Sequence, residues 1–373
     1  MPSSARWKKD DRFSFHTLLR TRRTQGLDLL PTQKPSDDAL RGMAVARMEE
    51  LTEALPVREA ARGLGGEPLS GHSPVRRRGL VLALSSLAGF LLTVVWSAKF
   101  VDQTIGGTIA EGVLGHSAED APLTSVAAGI AFAFASGLAG TFTACNIAAF
   151  GAVAPMMDSA HGRWERFAQS LRPLGWLSLG TVAVSALYGV IVGLAGTSMP
   201  QFSQAESVPG VLSGRSVQAM ITFGVIGLAM LYMGLAALGY VRDPFTRLSV
   251  RFPHAQSLFM GILIGGFLIG RPFPLFRQLF RDAAESGNPL YGAAAFALQS
   301  LGNIVVMAVF FFVLTFVAGG RLHAWLARKP GRMAVVTAAA LLVAGVFTLL
   351  YWDVRLLARR EIIPWYPIAP WAQ

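Results

Sequence analysis

The chain is poor in the residue types from which most soluble active sites are built. It has one cysteine, Cys145, in 373 residues, so it forms no disulfide with itself and no cysteine-rich metal site. Its six histidines are scattered, and none lies in a motif with metal-ligand spacing. The sequence shows no phosphate-binding loop and no Ser/His/Asp pattern. We therefore predict no metal and no cofactor.

Charged residues are scarce as well. They make up 15% of the chain, against 53% hydrophobic residues, and the mean hydropathy is +0.46. Soluble domains of this size rarely reach such a balance. The sequence therefore predicts an integral membrane protein, whose first partner is the lipid bilayer.

The chain has a net charge of +11, and its basic residues are concentrated in the N-terminal part, where 15 of the 33 Lys and Arg residues precede position 79. A nucleic-acid-binding domain would combine such charge with interleaved aromatic residues. Near its basic start the tail offers only Trp7, Phe13 and Phe15. We predict no nucleic-acid partner.

Residues 1–78 are polar and contain no apolar run, which predicts a largely disordered cytoplasmic tail. Within it, residues 36–55 place apolar side chains at helical spacing after Ser36. Two interpretations stay open for this helix: it docks a partner or the membrane surface, or it forms transiently in a disordered tail.

Seven apolar runs follow the tail, each compatible with a membrane-spanning helix of about 20 residues. The sequence therefore predicts an all-α integral membrane fold with about seven transmembrane helices. The predicted spans are 79–99, 124–155, 175–197, 216–240, 256–280, 290–318 and 333–352.

Lysine and arginine residues between the runs predict the orientation. Thirteen of them lie at alternate ends of the spans, and such an excess marks cytoplasmic loops. These residues lie at 76–78, 163, 166, 172, 242, 247, 251, 321, 328, 329 and 332. The N-terminus is then cytoplasmic and the C-terminus outside, with 353–373 as an interfacial C-terminal tail.

The second and fifth runs contain glycine and proline interruptions, and they open two units of three spans each, 124–240 and 256–352. Interrupted helices at matching positions indicate an inverted repeat with a binding site between its halves. The span at 79–99 is an additional N-terminal helix outside this repeat.

Three segments resemble the transmembrane family of CcdA and the membrane domain of DsbD. In GLAGTFTACNIAAFG (137–151), Thr143, Ala144 and Cys145 stand where the family has Ser-Pro-Cys. In GFLIGRPFPLF (266–276), Arg271 opens the tripeptide that corresponds to Thr-Pro-Cys, and Phe273 replaces the second cysteine. LYGAAAFALQSLGNIVVMAVFFF (290–312) resembles the helix that follows in the family.

The resemblance implies a bacterial inner-membrane or plasma-membrane protein with a role in thiol-reductant transfer or cytochrome c maturation. It assigns Cys145 as the reacting thiol. A relay that forms its own disulfide cannot operate with one thiol, so Cys145 would act with a protein partner that carries another thiol. The alternative for Cys145 is that of a small residue packing between helices.

Arg271 is the most unusual residue of the apolar runs. A guanidinium within such a run is expected to face a cavity or a partner, where it would bind an anion together with the positive end of a half-helix starting near Pro274. The alternatives are a side chain that reaches the membrane interface, or pairing with Asp282 or Glu285.

Four further polar residues are candidates for the same site. Asn146 and Thr143 lie in the first interrupted run, and Gln299 and Asn303 share one face of the sixth run. They either line a substrate-binding cavity or form hydrogen bonds between helices. Besides the partner-dependent thiol relay, the sequence leaves open a transporter for small anions and a non-catalytic subunit of a membrane complex.

Overall fold

The described part of the chain is mainly helical. The computed structural model describes residues 77–97, 100–101, 104, 107–114, 126–141, 146, 163–202, 208–271, 274–313 and 331–372. Within these ranges no strand is present, which confirms an all-α protein. The predicted tail with its helix at 36–55, and the residues Cys145 and Thr143, lie outside the described residues.

The described residues form eleven α-helices. We number them in chain order as α1 (Arg78–Val95), α2 (Gly107–Leu114), α3 (Val126–Ala139), α4 (Arg163–Ala195), α5 (Gly214–Leu238), α6 (Phe245–Arg251), α7 (Ala255–Gly270), α8 (Pro274–Ser286), α9 (Pro289–Val313), α10 (Arg332–Leu349) and α11 (Arg355–Arg359).

Five of these helical segments are long and apolar enough to cross a bilayer, and the bent pair of α7 and α8 raises the number among the described residues to six. The five are α1, α4, α5, α9, and α10 continued through α11. The chain is therefore a membrane protein. Helix α3 occupies the start of the predicted second span and, with 14 residues, is shorter than these five segments.

Two helices extend further than predicted. Helix α4 begins at Arg163 rather than at 175, and it continues through Pro173, although proline usually ends or kinks a helix. The last predicted span, 333–352, continues through a π-helical turn, Leu350–Val354, into α11. The helical segment therefore ends at Arg359, seven residues beyond the predicted end of the span.

The predicted interruption of the fifth run is confirmed as a sharp break between α7 and α8, whose axes differ by 81°. Arg271 follows α7 in an extended conformation, with φ −74° and ψ 124°. The ring of Pro272 disfavours the helical conformation at the residue before it. Pro274 then occupies the first position of α8, where proline is well tolerated.

The centre of the bundle is a close antiparallel contact between α4 and α9. Gly189 packs against Gly292, and Gly193 packs against Asn288. A Cβ atom at Gly189 would lie 2.1 Å from the carbonyl oxygen of Gly292, so only glycine permits this approach. Helices α5 and α10 are also packed antiparallel.

The two short helices α3 and α7 each run parallel to one central helix. Helix α3 lies along α9, and α7 lies along α4. The contacts that set these directions are Gly129 with Tyr291 and Gly137 with Gln299 for α3, and Gly261 with Leu177 and Gly265 with Thr181 for α7. The arrangement brings the ends of α3 and α7 to the same part of the bundle.

Helix α1 is attached to the bundle mainly through α10 and Arg355. The Arg355 side chain is fully buried, and its Nη1 donates to the carbonyl oxygens of Thr93 at 2.9 Å and Trp96 at 3.0 Å. A cation at the C-terminal end of a helix is favourable, because unpaired carbonyls and the helix dipole meet there. This partner explains why the last helix continues past the predicted end.

Candidate functional site

The two interrupted segments meet at their breaks. At 1.5 Å per residue, α3 is about 21 Å long and α7 about 24 Å, both shorter than the roughly 30 Å of a bilayer core. The Nη1 of Arg271 donates to the carbonyl oxygen of Gly140, just after α3, at 2.7 Å. Arg271 is only 7% exposed, so its guanidinium lies inside the protein.

The carbonyl of Ile269, left without a helical partner by the break, is held by two amides. The side-chain amides of Gln201 and Gln218 both donate to it, the second at 3.1 Å. Gln218 also donates to the hydroxyl of Tyr188 at 3.0 Å. Because the last carbonyls of a helix need partners from outside the helix, these amides fix the end of α7 where Arg271 begins.

A small polar cleft lies between the breaks and α9. The Nδ2 of Asn146 donates to Thr141 O at 2.6 Å and to Oδ1 of Asn303 at 2.9 Å. The volume of the cleft is about 20 Å³, enough for about one water molecule. The cleft is lined by Gly140, Asn146, Thr181, Ile264, Phe267, Leu268, Arg271, Gln299, Ser300 and Asn303.

Two acceptors of this region are buried without a partner in the described part of the chain. They are Oδ1 of Asn146 and Oε1 of Gln299, whose residues are 1% and 2% exposed. An acceptor left unpaired in a protein interior costs about 1–3 kcal/mol, so a water or a ligand group that donates hydrogen bonds is expected there.

A larger cavity of about 340 Å³ lies on the other side of Arg271, and we call it the basic cavity. Its volume falls within the range of small-molecule pockets. It is lined by Gln201, Arg215, Ser216, Ala219, Gly270, Arg271, Arg277, Tyr351, Trp352, Leu356, Arg359 and Arg360. Arg271 therefore belongs to the walls of both the cleft and the basic cavity.

Four of the six candidate residues come together in the cleft: Arg271, Asn146, Gln299 and Asn303. Arg271 is buried inside the bundle and does not extend along its surface. The carboxylate of Asp282 accepts a hydrogen bond from the hydroxyl of Tyr291. Cys145 and Thr143, the other two candidates, lie outside the described residues, so their position in the same site stays a prediction.

The arginines of the basic cavity were not among the candidates. They lie on α5 (Arg215), α8 (Arg277) and α11 (Arg359), and Arg360 directly follows α11. The signal that points to them is their position, because they lie on the side of the membrane predicted to be outside, where basic residues are normally sparse.

Metal binding finds no support in the described ranges, where no group of three or more His, Cys, Asp or Glu residues is placed to hold an ion. No known protein family, curated protein or solved structure matches the chain.

Proposed function

We propose that the chain is a membrane carrier for small anions. The observation that carries this proposal is the position of Arg271, a buried guanidinium at a helix break, between a cleft of about 20 Å³ and a cavity of about 340 Å³. Ionisable residues inside membrane segments are costly and typically mark substrate pathways.

The chemistry of the break suits a transient anion site. The guanidinium binds oxyanions through paired hydrogen bonds, and α8 begins just beyond it at Pro274, with the positive end of its dipole at that point. An anion that arrives from the basic cavity would replace Gly140 O as the partner of Nη1. Its way onward requires the cleft to widen.

The fold supports a carrier with an inverted repeat. We infer seven spans, with α3, α4 and α5 in one unit and α7 through α11 in the other, and with α1 outside both. The symmetry of an inverted repeat superposes α3 on α7 and α9 on α4. The pair α3 and α9 must therefore pack with the same relative direction as the pair α7 and α4. The parallel packing of both pairs, and the antiparallel α4 and α9, agree with that requirement.

For the orientation we keep the interpretation from the basic loops. The N-terminus then faces the cytoplasm of a bacterial cell, and the basic cavity opens on the outer face of the inner membrane. Arg78 and Gly239, which are hydrogen-bonded at 3.2 Å, lie at the cytoplasmic end. Arg215, at the other end of α5, lies on the outer side.

Uptake into proteoliposomes tests the carrier. Inorganic phosphate, sulfate and phenyl phosphate are offered to the purified protein, and currents are recorded on supported membranes. Arg271→Gln should lower the uptake of the transported anion roughly tenfold or more, whereas Arg271→Lys should retain part of it. Arg242→Gln, at the cytoplasmic end, is the matched control. Absence of uptake of every anion offered would refute the carrier, and equal uptake by wild type and Arg271→Gln would refute the role of Arg271 in it.

A thiol relay in the manner of the CcdA family is the second candidate. It is favoured by Asn146, which directly follows Cys145 in the chain and is buried in the cleft. The Cys145 thiolate would attack a disulfide of a partner protein and release one of its thiolates. A second thiol, from the partner or from a third protein, must then resolve the mixed disulfide.

Trapping the mixed disulfide tests the relay. A partner held through Cys145 should be recovered from membranes without reductant and should be lost in Cys145→Ser. A fully active Cys145→Ser protein contradicts the relay. If neither uptake nor a trapped partner is found, stable co-purification of other membrane subunits would assign the chain a structural role.

A further inference from the structure

The basic cavity has a composition that suits one class of ligand. Its wall carries the guanidinium groups of Arg215, Arg277, Arg359 and Arg360, and none of the described residues that line it is Asp or Glu. Arg215 lies within electrostatic reach of Arg360 and of Arg281. Like charges that share a partly enclosed space repel one another, so an anion placed between them is favoured.

Several buried arginine nitrogens in this cluster, and one beside it on Arg281, lack a hydrogen-bond acceptor in the described part of the chain. The Nε atoms of Arg277, Arg281 and Arg360 have no hydrogen-bond partner within the described part of the chain. Among the described residues, the Arg360 side chain donates from Nη2 to the hydroxyl of Ser216 at a long distance of 3.3 Å. Nitrogens of this kind are satisfied by oxyanions, for which the planar guanidinium group is well suited.

The remaining wall is apolar. Ala219, Tyr351, Trp352 and Leu356 line the same cavity, and the ring of Trp352 stacks on Phe223, with 4.6 Å between ring centroids. An inorganic ion would leave this surface in contact with water. An anion with an apolar or aromatic body would cover it and gain from its burial.

We propose that the basic cavity binds phosphate esters that carry an apolar group. The phosphate contacts Arg277 and Arg360, and the apolar group lies on Trp352 and Leu356. Two sources supply this chemistry, the headgroup of an anionic lipid and a free organic phosphate. One part of the inference rests on the carrier proposed above, namely that such a compound is the substrate it transports. The binding itself does not depend on transport.

Binding to the full-length protein tests the inference. In nanodiscs of phosphatidylcholine, calorimetry should show saturable binding of phenyl phosphate, roughly tenfold or more tighter than that of inorganic phosphate. Arg277→Gln combined with Arg360→Gln should weaken binding of phenyl phosphate by at least about tenfold. The matched control Arg242→Gln should bind like wild type. Arg277→Lys with Arg360→Lys preserves the charge and should restore part of the affinity.

Two outcomes overturn the inference: absent saturable binding of phenyl phosphate, or unchanged binding by a folded Arg277→Gln, Arg360→Gln protein that elutes as wild type on gel filtration. Competition by nanodiscs containing phosphatidylglycerol assigns a lipid headgroup, and the lack of competition assigns a free phosphate. Binding without uptake refutes the carrier alone, whereas uptake without arginine-dependent binding of phenyl phosphate refutes this inference alone.

Discussion

Arg271 and Arg355 are both buried arginines that bind carbonyl groups at the C-terminal end of a helix, yet their surroundings differ. Arg355 donates to two carbonyls of the α1 end, and its guanidinium lies 4.7 Å from the ring centroid of Tyr351. It lines neither of the two cavities described above. Arg271 lines both of them. Burial alone therefore does not identify an arginine as part of a functional site. The cavities next to Arg271 distinguish it from Arg355.

Removing Arg355 should have the largest effect on stability. In Arg355→Met the carbonyls of Thr93 and Trp96 lose a charged donor inside the protein, which we expect to lower the free energy of unfolding by roughly 2–4 kcal/mol. Thermal unfolding in detergent measures the change. Arg359→Met, one turn on at an exposed position, is the control, and equal melting temperatures for the two variants would contradict the structural role.

Moving Arg271 without removing its charge should lower both uptake and stability. A Cβ atom at Gly140 would lie 2.6 Å from Nη1 of Arg271, so Gly140→Ala should displace the guanidinium at a cost of about 1–2 kcal/mol. We expect anion uptake to fall several-fold. Gly175→Ala, on α4 and with no atom within 4 Å of the added Cβ, should leave uptake and stability unchanged. Parallel losses in the two variants would contradict the argument.

The hydrogen bond between Asn146 and Asn303 should contribute less. A double-mutant cycle with Asn146→Ala and Asn303→Ala isolates its coupling energy, which we expect at about 0.6–2 kcal/mol, the range for hydrogen bonds between membrane helices. Unfolding of the four proteins in mixed micelles provides the values. A coupling near zero would mean that the two side chains act separately in the cleft.

The smallest effect concerns the other end of α7. Burial, together with the positive charge of Arg172, lowers the pKa of His254 below its ordinary value, so the unfolded chain takes up this proton more readily than the folded protein. The contribution to stability is then complete above about pH 6.5 and is lost as the pH falls through the lowered pKa. His254→Phe, which keeps an aromatic ring beside Trp176, should flatten this slope of stability against pH. An unchanged slope would contradict it.

Much of the cleft around Arg271 was predictable from the sequence, because neighbouring residues in the chain determine where its side chains lie. Pro272 and Pro274 mark the break, an arginine between apolar runs marks a cavity, and the spacing of Gln299 and Asn303 marks a helix face. The basic cavity was not predictable in this way. Arg215 and Arg360 are far apart in the chain, and only the packing of α5 against the last helix brings them together.

The end of the last helix was missed for a similar reason. Composition suggests that Arg355 leaves the membrane, whereas the carbonyls at the end of α1 offer it buried partners. Helix α4 was predicted too short at its start, because it begins twelve residues before position 175 and accommodates Pro173 in its interior.

The contact between α4 and α9 has a consequence for biosynthesis. The hydroxyls of Ser185 and Ser300 are hydrogen-bonded at 2.6 Å across 115 positions of the chain. At about 5–20 residues per second, a ribosome needs roughly 6–23 s to reach Ser300 after Ser185. During that interval the glycine face of α4 has no partner helix. Lipid or the insertion machinery must therefore cover this face until α9 has been synthesised.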